Sequence, residues 1–253
     1  MKIAVPIKFV PDLVEELAID ASGASLDTSW LRLIINEFDD HAVEQAILLK
    51  ERSGGQATVM AVEAEGVDDF LFTAAAKGAD QLIKLTGDSA GANNHALARV
   101  YAALLKELQP DLVLTGVQAH NDLDGSIGPL LAEYLGVPFV GYVAGINASG
   151  EKVIARKEYP GGLVAETEVK FPAVLGIQAA EQPPRYVAYS KIRQVMGTTK
   201  IEERPLPELD SSGGATVSRM YQPEAAEHAA MIEGGADEAA DKIIGILKEL
   251  GAL

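Results

Sequence analysis

Pro110-Asp111-Leu112-Val113-Leu114-Thr115-Gly116-Val117-Gln118-Ala119-His120-Asn121-Asp122-Leu123-Asp124-Gly125-Ser126-Ile127-Gly128 is the stretch that decides the fold. Proline stops a preceding helical pattern, Leu112 to Gly116 form a short apolar run with the length of a buried strand, and a polar loop leads into a helix from about Ser126 to Leu135. The same strand-then-helix unit occurs three times upstream. Lys2 to Ile7, Gln56 to Val62 and Ala79 to Leu85 read as strands; helical spacing follows from near Asn36 to Ser53, from Val67 to Lys77 and from Asn93 to Leu108. Asn36 is placed to cap the first helix, and Ser53-Gly54-Gly55 and Gly78 stop the first two. Four such units give the fold class: α/β, a doubly wound, mostly parallel Rossmann-like sheet of the adenine-nucleotide-binding type, with ligands at the carboxyl ends of its strands.

After Pro138 the pattern changes. Phe139 to Ile146, Lys152 to Glu158 and Leu163 to Lys170 alternate and are joined by Asn147-Ala148-Ser149-Gly150 and Pro160-Gly161-Gly162, so antiparallel strands extend the sheet. Val174 to Ile177 reads as one more buried strand. From Ile201 the chain is poor in core-forming residues until an amphipathic helix from about Ala236 to Leu250. We therefore expect a nucleotide-binding domain over 1–200, containing a docking segment at 184–200, and an arm with a terminal helix over 201–253. The helix either folds back on its own domain or packs on another surface; the residues leave both open.

Composition narrows the chemistry. Of the 253 residues 48% are hydrophobic, and no apolar run approaches the ~20 residues of a membrane span. Thirty-seven acidic residues against 21 basic ones give a net charge of −16, which opposes nucleic acid and anionic lipid. Residues 201–253 hold 11 acidic and 4 basic residues, so nearly half of that charge lies in the arm. There is no cysteine, which excludes disulfides, thiolate catalysis and Cys-ligated metals, and the four histidines have no metal-ligand spacing. Lys2 to Ile7 is a strand rather than a leader, so a cytoplasmic location is expected.

Glycine-rich phosphate loops of the Walker and Rossmann types are missing, and the turn after the first strand, Lys8-Phe9-Val10-Pro11-Asp12, has no glycine. The glycines lie at Gly116, Gly125 and Gly128 instead. Gly125 and Ser126 at a helix start offer N–H groups and the positive end of a helix dipole, which suit a phosphate. The other reading is a helix start capped by Asp124 or Ser126 with nothing bound. His120 lacks a nucleophile beside it and His41 reads as a surface residue. Asp39-Asp40 and Asp68-Asp69 suit helix starts without metal, and Trp30 and Phe38 read by default as core.

Lys2-Ile3-Ala4-Val5-Pro6-Ile7-Lys8, the run from Asn36 through Phe38 to Ala46, Thr73 to Asp80, Pro110 to Ala119, Gly161-Gly162-Leu163, Phe171-Pro172-Ala173-Val174 and Pro184-Arg185-Tyr186 occur in the order and spacing of one family. Together they resemble the β subunits of electron-transfer flavoproteins. The resemblance implies a heterodimer with an α subunit that carries FAD. The β subunit closes over the flavin and holds AMP, or a second FAD in bifurcating members. Electrons pass from flavoprotein dehydrogenases, often acyl-CoA dehydrogenases, to a quinone reductase or another acceptor. The β subunit has no active site of its own.

By position the resemblance assigns AMP to Pro6, Asn36, Val62, Ala119, Asp122, Gly125, Ser126, Ile127 and Gly128. The family often has Asn-Gln-Thr where this chain has Gly125-Ser126-Ile127, so phosphate would rely on backbone N–H groups. It places Leu13, where a tyrosine is common, and Phe38 near the flavin. Tyr189, Ile192 and Met196 fall in the segment that docks on a dehydrogenase; Tyr189 takes the anchor position, and the usual lysine run shrinks to Lys191, Arg193 and Lys200. These departures point to a partner other than the commonest acyl-CoA dehydrogenase. The alternative is a stand-alone adenine-nucleotide-binding regulatory protein of the universal-stress type, which leaves the arm and the docking segment without a reason.

Overall fold

The computed structural model describes residues 1–14, 16–123, 125–224, 229 and 231–253. Its elements run β1 (Lys2–Ile7), β2 (Phe9–Pro11), β3 (Leu33–Ile35), α1 (Glu37–Ser53), β4 (Gln56–Val62), α2 (Val67–Lys77), β5 (Gln81–Thr86), α3 (Asn94–Leu108), β6 (Leu112–Gly116), α4 (Ile127–Leu135), β7 (Phe139–Ser149), β8 (Lys152–Tyr159), β9 (Leu163–Lys170), β10 (Ala173–Ile177), α5 (Tyr189–Met196), β11 (Ile201–Pro205) and α6 (Ala236–Glu249). Among the described residues one nine-stranded sheet has the order β11-β5-β4-β1-β6-β10-β7-β8-β9. Every pair from β11 to β7 is parallel, and β7-β8 and β8-β9 are antiparallel. The doubly wound sheet with an antiparallel extension is thus the observed architecture.

Strand alternation sorts the core into two layers. Ile3, Val5 and Ile7 of β1 join Val59, Leu112 and Leu114 under α1 and α2, whereas Ala4, Met60, Ile83 and Val113 face the other way under α3 and α4. Leaving β1, the chain goes to α1 on one face; leaving β6, it goes to α4 on the opposite face. Neighbouring strands β1 and β6 therefore send their connections apart, and the crevice at their carboxyl ends is the topological switch point of the sheet.

Helix α1 is enclosed on more than its sheet side. Ala42, Val43, Ala46, Ile47 and Leu49 meet the core, but Glu44 and Gln45 are also buried, at 1% and 0% exposure. Both sides are covered because the segment after β10 crosses the helix.

Several expectations need correction. Asn36 stands at the N-cap of α1, yet its side chain makes no capping bond; the amide donates to the Gln118 carbonyl instead. Phe9–Pro11, read as part of the turn after the first strand, pairs with Leu33–Ile35 as an antiparallel two-stranded sheet. Trp30 is not core but 88% exposed, and Phe38 is only half-buried. The strand expected at Val174 to Ile177 is present as β10, and it inserts between β6 and β7, where its five buried residues are covered on both faces.

The first residues of the expected arm, Ile201–Pro205, are an edge strand beside β5. Three charges in five residues hide that strand in the sequence. Each finds a partner across the edge: Glu203 meets Lys84, Glu202 meets Gln81, and Arg204 meets Glu107. Pro205 is tolerated because it ends a strand at the sheet edge. Leu206 and Leu209 pack on the second core layer, and Arg99 donates to the carbonyls of Asp210 and Ser212. Helix α6 has no buried residue, and Ile243, Ile244 and Ile246 are 48%, 42% and 50% exposed. Among the described residues no helix is long and apolar enough to cross a membrane.

The closest approach in the sheet's upper rim is at Gly116, where a Cβ would lie 2.5 Å from Asp39 Oδ1 and 2.8 Å from Phe38 Cβ. Substituting Gly116→Ala is expected to push α1 from β6 and to cost about 1–3 kcal/mol, read by urea denaturation; an unchanged midpoint would contradict this packing.

Candidate functional site

Two loops and two helix starts converge on the switch point. The carboxylate of Asp39, in the first turn of α1 and 3% exposed, accepts the N–H of Lys8 at 2.8 Å and the N–H of Gly116 at 2.7 Å. One side chain thereby joins the residues that end β1 and β6. Asn36 adds the bond to Gln118 O at 2.9 Å, so the start of α1 holds both the strand end and the loop beyond it.

The loop that begins at Val117 is folded around Asp122. Its Oδ2 accepts the Ala119 N–H at 2.8 Å, and its Oδ1 accepts from Lys8 Nζ at 2.9 Å and Asn94 Nδ2 at 2.8 Å. Asn94, buried in the first turn of α3, also donates to Gly125 O at 2.7 Å and accepts from Lys8 Nζ at 3.1 Å. With side-chain exposures of 20% and 11%, the Lys8–Asp122 pair is shielded enough from water to count for more than a surface ion pair.

On the β4 side, the Tyr101 hydroxyl accepts from Val62 N–H at 3.0 Å and donates to Ile7 O at 3.3 Å, tying the carboxyl ends of β1 and β4. Burial pushes its pKa far above the usual range, and the charge of Asp39 adds to the shift.

Pro6, Val62 and Ile127 line one crevice of about 210 Å³ together with Lys8, Asp39 and Tyr101. Ala119, Asp122, Gly125 and Ser126 line a groove of about 850 Å³ on the other side of the same loop, toward Tyr142, Lys157 and Tyr159. Gly128 lies buried beneath Phe139, where a Cβ would come within 2.8 Å of the ring. The expected nucleotide residues are therefore gathered around a single loop. Leu13 sits on an exposed turn after β2, and Phe38 opens α1. Tyr189, Ile192 and Met196 lie elsewhere, on α5, which packs on α2.

What this rim can hold follows from its donors. The N–H groups of the first turn of α4 have no carbonyl four residues back, and Gly125 with φ of +99° aims the backbone in a way that favours glycine. Ser126 is the N-cap but makes no side-chain capping bond, which removes it from the capped reading; Asp124, the other proposed cap, lies outside the described residues. Helix dipole, backbone N–H groups and Lys8 fit an anion such as a phosphate, and the apolar crevice beside them fits a flat base. A further cavity of about 1070 Å³ opens at the opposite, amino-terminal edge around Pro110, Lys170 and Phe171, away from the edge where such sheets bind ligands.

Among the described residues, acid–base chemistry finds no constellation. His120 is exposed, and His41 is half-buried with Nδ1 accepting the Ala180 N–H at 3.2 Å, so it is not the plain surface residue expected. His228 lies outside the described residues. Asp40 pairs with Lys77 and Asp68 with Lys84, and among the described residues no three His, Asp or Glu side chains are grouped to hold a metal ion. The sequence reading missed Asp39, Lys8, Asn94 and Tyr101. Asp39 was visible as an acid beside the switch-point helix, but its partners are backbone N–H groups that no side-chain pattern reveals.

A model of the electron transfer flavoprotein domain matches residues 26–209 of this chain. The chain is 34% identical to the electron transfer flavoprotein subunit beta of Methylophilus methylotrophus over 98% of both proteins. It is 35% identical to the subunit beta of Clostridium acetobutylicum over 76% of this chain and 74% of that one. It is 31% identical to the acryloyl-CoA reductase electron transfer subunit gamma of Anaerotignum propionicum over 84% of each.

Burial raises the Asp39 pKa from 3.8 to about 6, against the opposing pull of the Lys8 and Gly116 N–H groups, the Asn36 side chain and the Lys8 charge. The native state thus holds a proton that the unfolded chain releases between pH 4 and 6, so this group favours folding at low pH and loses that contribution as pH rises through 6. Relative to Asp39→Asn, the wild type should gain about 2.4 kcal/mol of stability from pH 7 to pH 4. Urea denaturation at a series of pH values checks it; a wild-type-minus-variant difference that does not change with pH would contradict it.

Proposed function

The chain belongs to the electron transfer flavoprotein family, and from that premise we propose that it is a β-type subunit whose switch-point crevice binds AMP and whose rim completes the FAD site of an α subunit. The observation that supports this reading most is the constellation of Asp39, Asn36, Lys8 and Asp122, which fixes two strand ends and one loop around a cavity with anion-binding N–H groups beside it. A loop tied by this many shielded bonds is preorganised, so little ordering entropy is lost when a ligand enters.

In this role Pro6, Val62 and Ile127 would flank the base, while the N–H groups at Gly125 to Gly128 and the Lys8 ammonium would meet the phosphate. Lys8 now neutralises Asp122, and a phosphate would share that cation. Leu13 and Phe38 would close one side of the flavin and exclude water from it. The bound FAD supplies the one- and two-electron chemistry, and the chain supplies position and electrostatics. The subunit has no active site of its own in this reading, and a second FAD in the AMP place would make it a bifurcating member.

The exposed apolar side chains of α6 find their partner on the α subunit in this proposal, with the segment after Pro205 as the arm that carries them there. Burying such side chains is worth roughly 1.5–3 kcal/mol each, a reason for a stable heterodimer. Tyr189, 65% exposed, and Met196, 45% exposed, offer the docking face to a flavoprotein dehydrogenase, with Ile192 half-buried between them. The donor, the acceptor and a cytoplasmic location belong to the same proposal.

Coexpression with an α subunit should give a yellow 1:1 heterodimer, and a colourless monomer that binds or hydrolyses ATP alone would overturn the reading. Within that heterodimer, Asp122→Ala leaves Lys8 and Asn94 without their shared acceptor. AMP affinity, measured by calorimetry, is expected to fall about tenfold or more, since hydrogen bonds to charged groups contribute roughly 1.5–3 kcal/mol. Unchanged affinity would place the nucleotide elsewhere.

A further inference from the structure

Helix α1 does more than cover the sheet. Three polar side chains of this helix, His41, Glu44 and Gln45, accept backbone N–H groups from the irregular segment that leads to α5. His41 Nδ1 takes Ala180 at 3.2 Å, Gln45 Oε1 takes Glu181 at 3.0 Å, and Glu44 Oε2 takes Arg185 at 3.0 Å. Glu181 returns the contact, with its carboxylate on Arg52 and on the Ile146 N–H. The segment has no ladder of its own here, so the helix side chains take the place of a neighbouring strand.

Arg185 locks the end of this crossing. Its Nε lies 2.8 Å from Glu44 Oε1, and its two terminal nitrogens lie 2.6 and 3.1 Å from the two oxygens of Glu51. The Glu44 side chain is 2% exposed. A buried carboxylate is costly without a partner, and its charged partner is supplied by Arg185 four residues before α5 begins. Both Glu51 and Glu44 raise the pKa of the guanidinium further, against its own desolvation. Only a planar, forked cation can serve two carboxylates in these directions.

We propose that Glu44 and Arg185 are positioning residues for partner docking: the buried pair fixes where the chain leaves α1 and so aims the Tyr189–Met196 helix at the dehydrogenase. This rests on the reading of α5 as the docking helix. Helix α5 has no buried residue and only eight positions; it rests on α2, and the Arg185 pair fixes the end of the chain that enters it. The same α1 carries Asn36 and Asp39 at its other end, which places the docking segment and the nucleotide rim on one rigid element.

The test uses the α–β heterodimer with Arg185→Lys, which keeps the charge and loses the fork. A second variant joins Glu44→Gln with Arg185→Met, which removes both charges together and so leaves no buried carboxylate unpaired. Amide exchange over 189–196 is expected to quicken about tenfold or more in Arg185→Lys while β1 and β4 keep their protection. With a flavoprotein dehydrogenase that reduces the heterodimer, KM for the heterodimer rises several-fold and kcat stays within about twofold. In the paired variant global stability recovers toward wild type, yet fast exchange at 189–196 and the raised KM persist.

Wild-type exchange over 189–196 in Arg185→Lys overturns the proposal, and so does an equal loss of protection across the whole sheet, which would make the pair a general support of the fold. The docking reading fails on a separate result: Tyr189→Ala with an unchanged KM. The exchange measurement needs no dehydrogenase and stands whichever way that result falls.

Discussion

A single buried carboxylate sets the geometry of the functional rim. Parallel sheets open a crevice wherever two neighbouring strands send their connections to opposite faces, and the strand ends there have N–H groups with no ladder partner. Asp39 accepts two of them, from Lys8 and Gly116. Its desolvation is unfavourable, as the pKa near 6 records, and the bonds it makes cannot be replaced by an apolar side chain. Gly116 is required beside it because no Cβ fits the space that the carboxylate and Phe38 occupy. From that point outward the rest of the rim follows: Lys8 is aimed at Asp122, Asp122 folds the loop, and Asn94 closes it from α3.

Helix α1 transmits that constraint along its length. Its apolar face is ordinary, and its other face is a row of polar side chains that hold a crossing segment with Arg185 at its end. A helix buried on both sides must satisfy its charges internally, which makes its position well determined. The proposed nucleotide rim and the proposed docking helix are thus referred to one element, an arrangement suited to a subunit that contributes position rather than chemistry.

The architecture was legible where physics acts locally. Alternating apolar strands and helical spacing, with glycine stops at Gly54 and Gly78, located the four β-then-α units. It was illegible where meaning depends on distant partners. Asn36 looked like a cap because its position is one, but its amide has a better acceptor in Gln118 across the switch point. Ile201–Pro205 looked like linker because its charges are neutralised only by residues of α3, β5 and the strand itself. The site residues that resemblance assigned gather around one loop, yet the groups that position them, Asp39 and Asn94 above all, act through backbone atoms and leave no motif.

The proposed nucleotide site is the crevice between the carboxyl ends of β1 and β4 and the start of α4. Photoaffinity labelling of the heterodimer with 8-azido-AMP, followed by peptide mapping, measures this directly. Label is expected in peptides that contain Pro6 to Lys8, Val62 or the loop 117–128, competed away by AMP. Label confined to the α subunit, or to the cavity around Pro110 and Phe171 at the opposite edge, would contradict it.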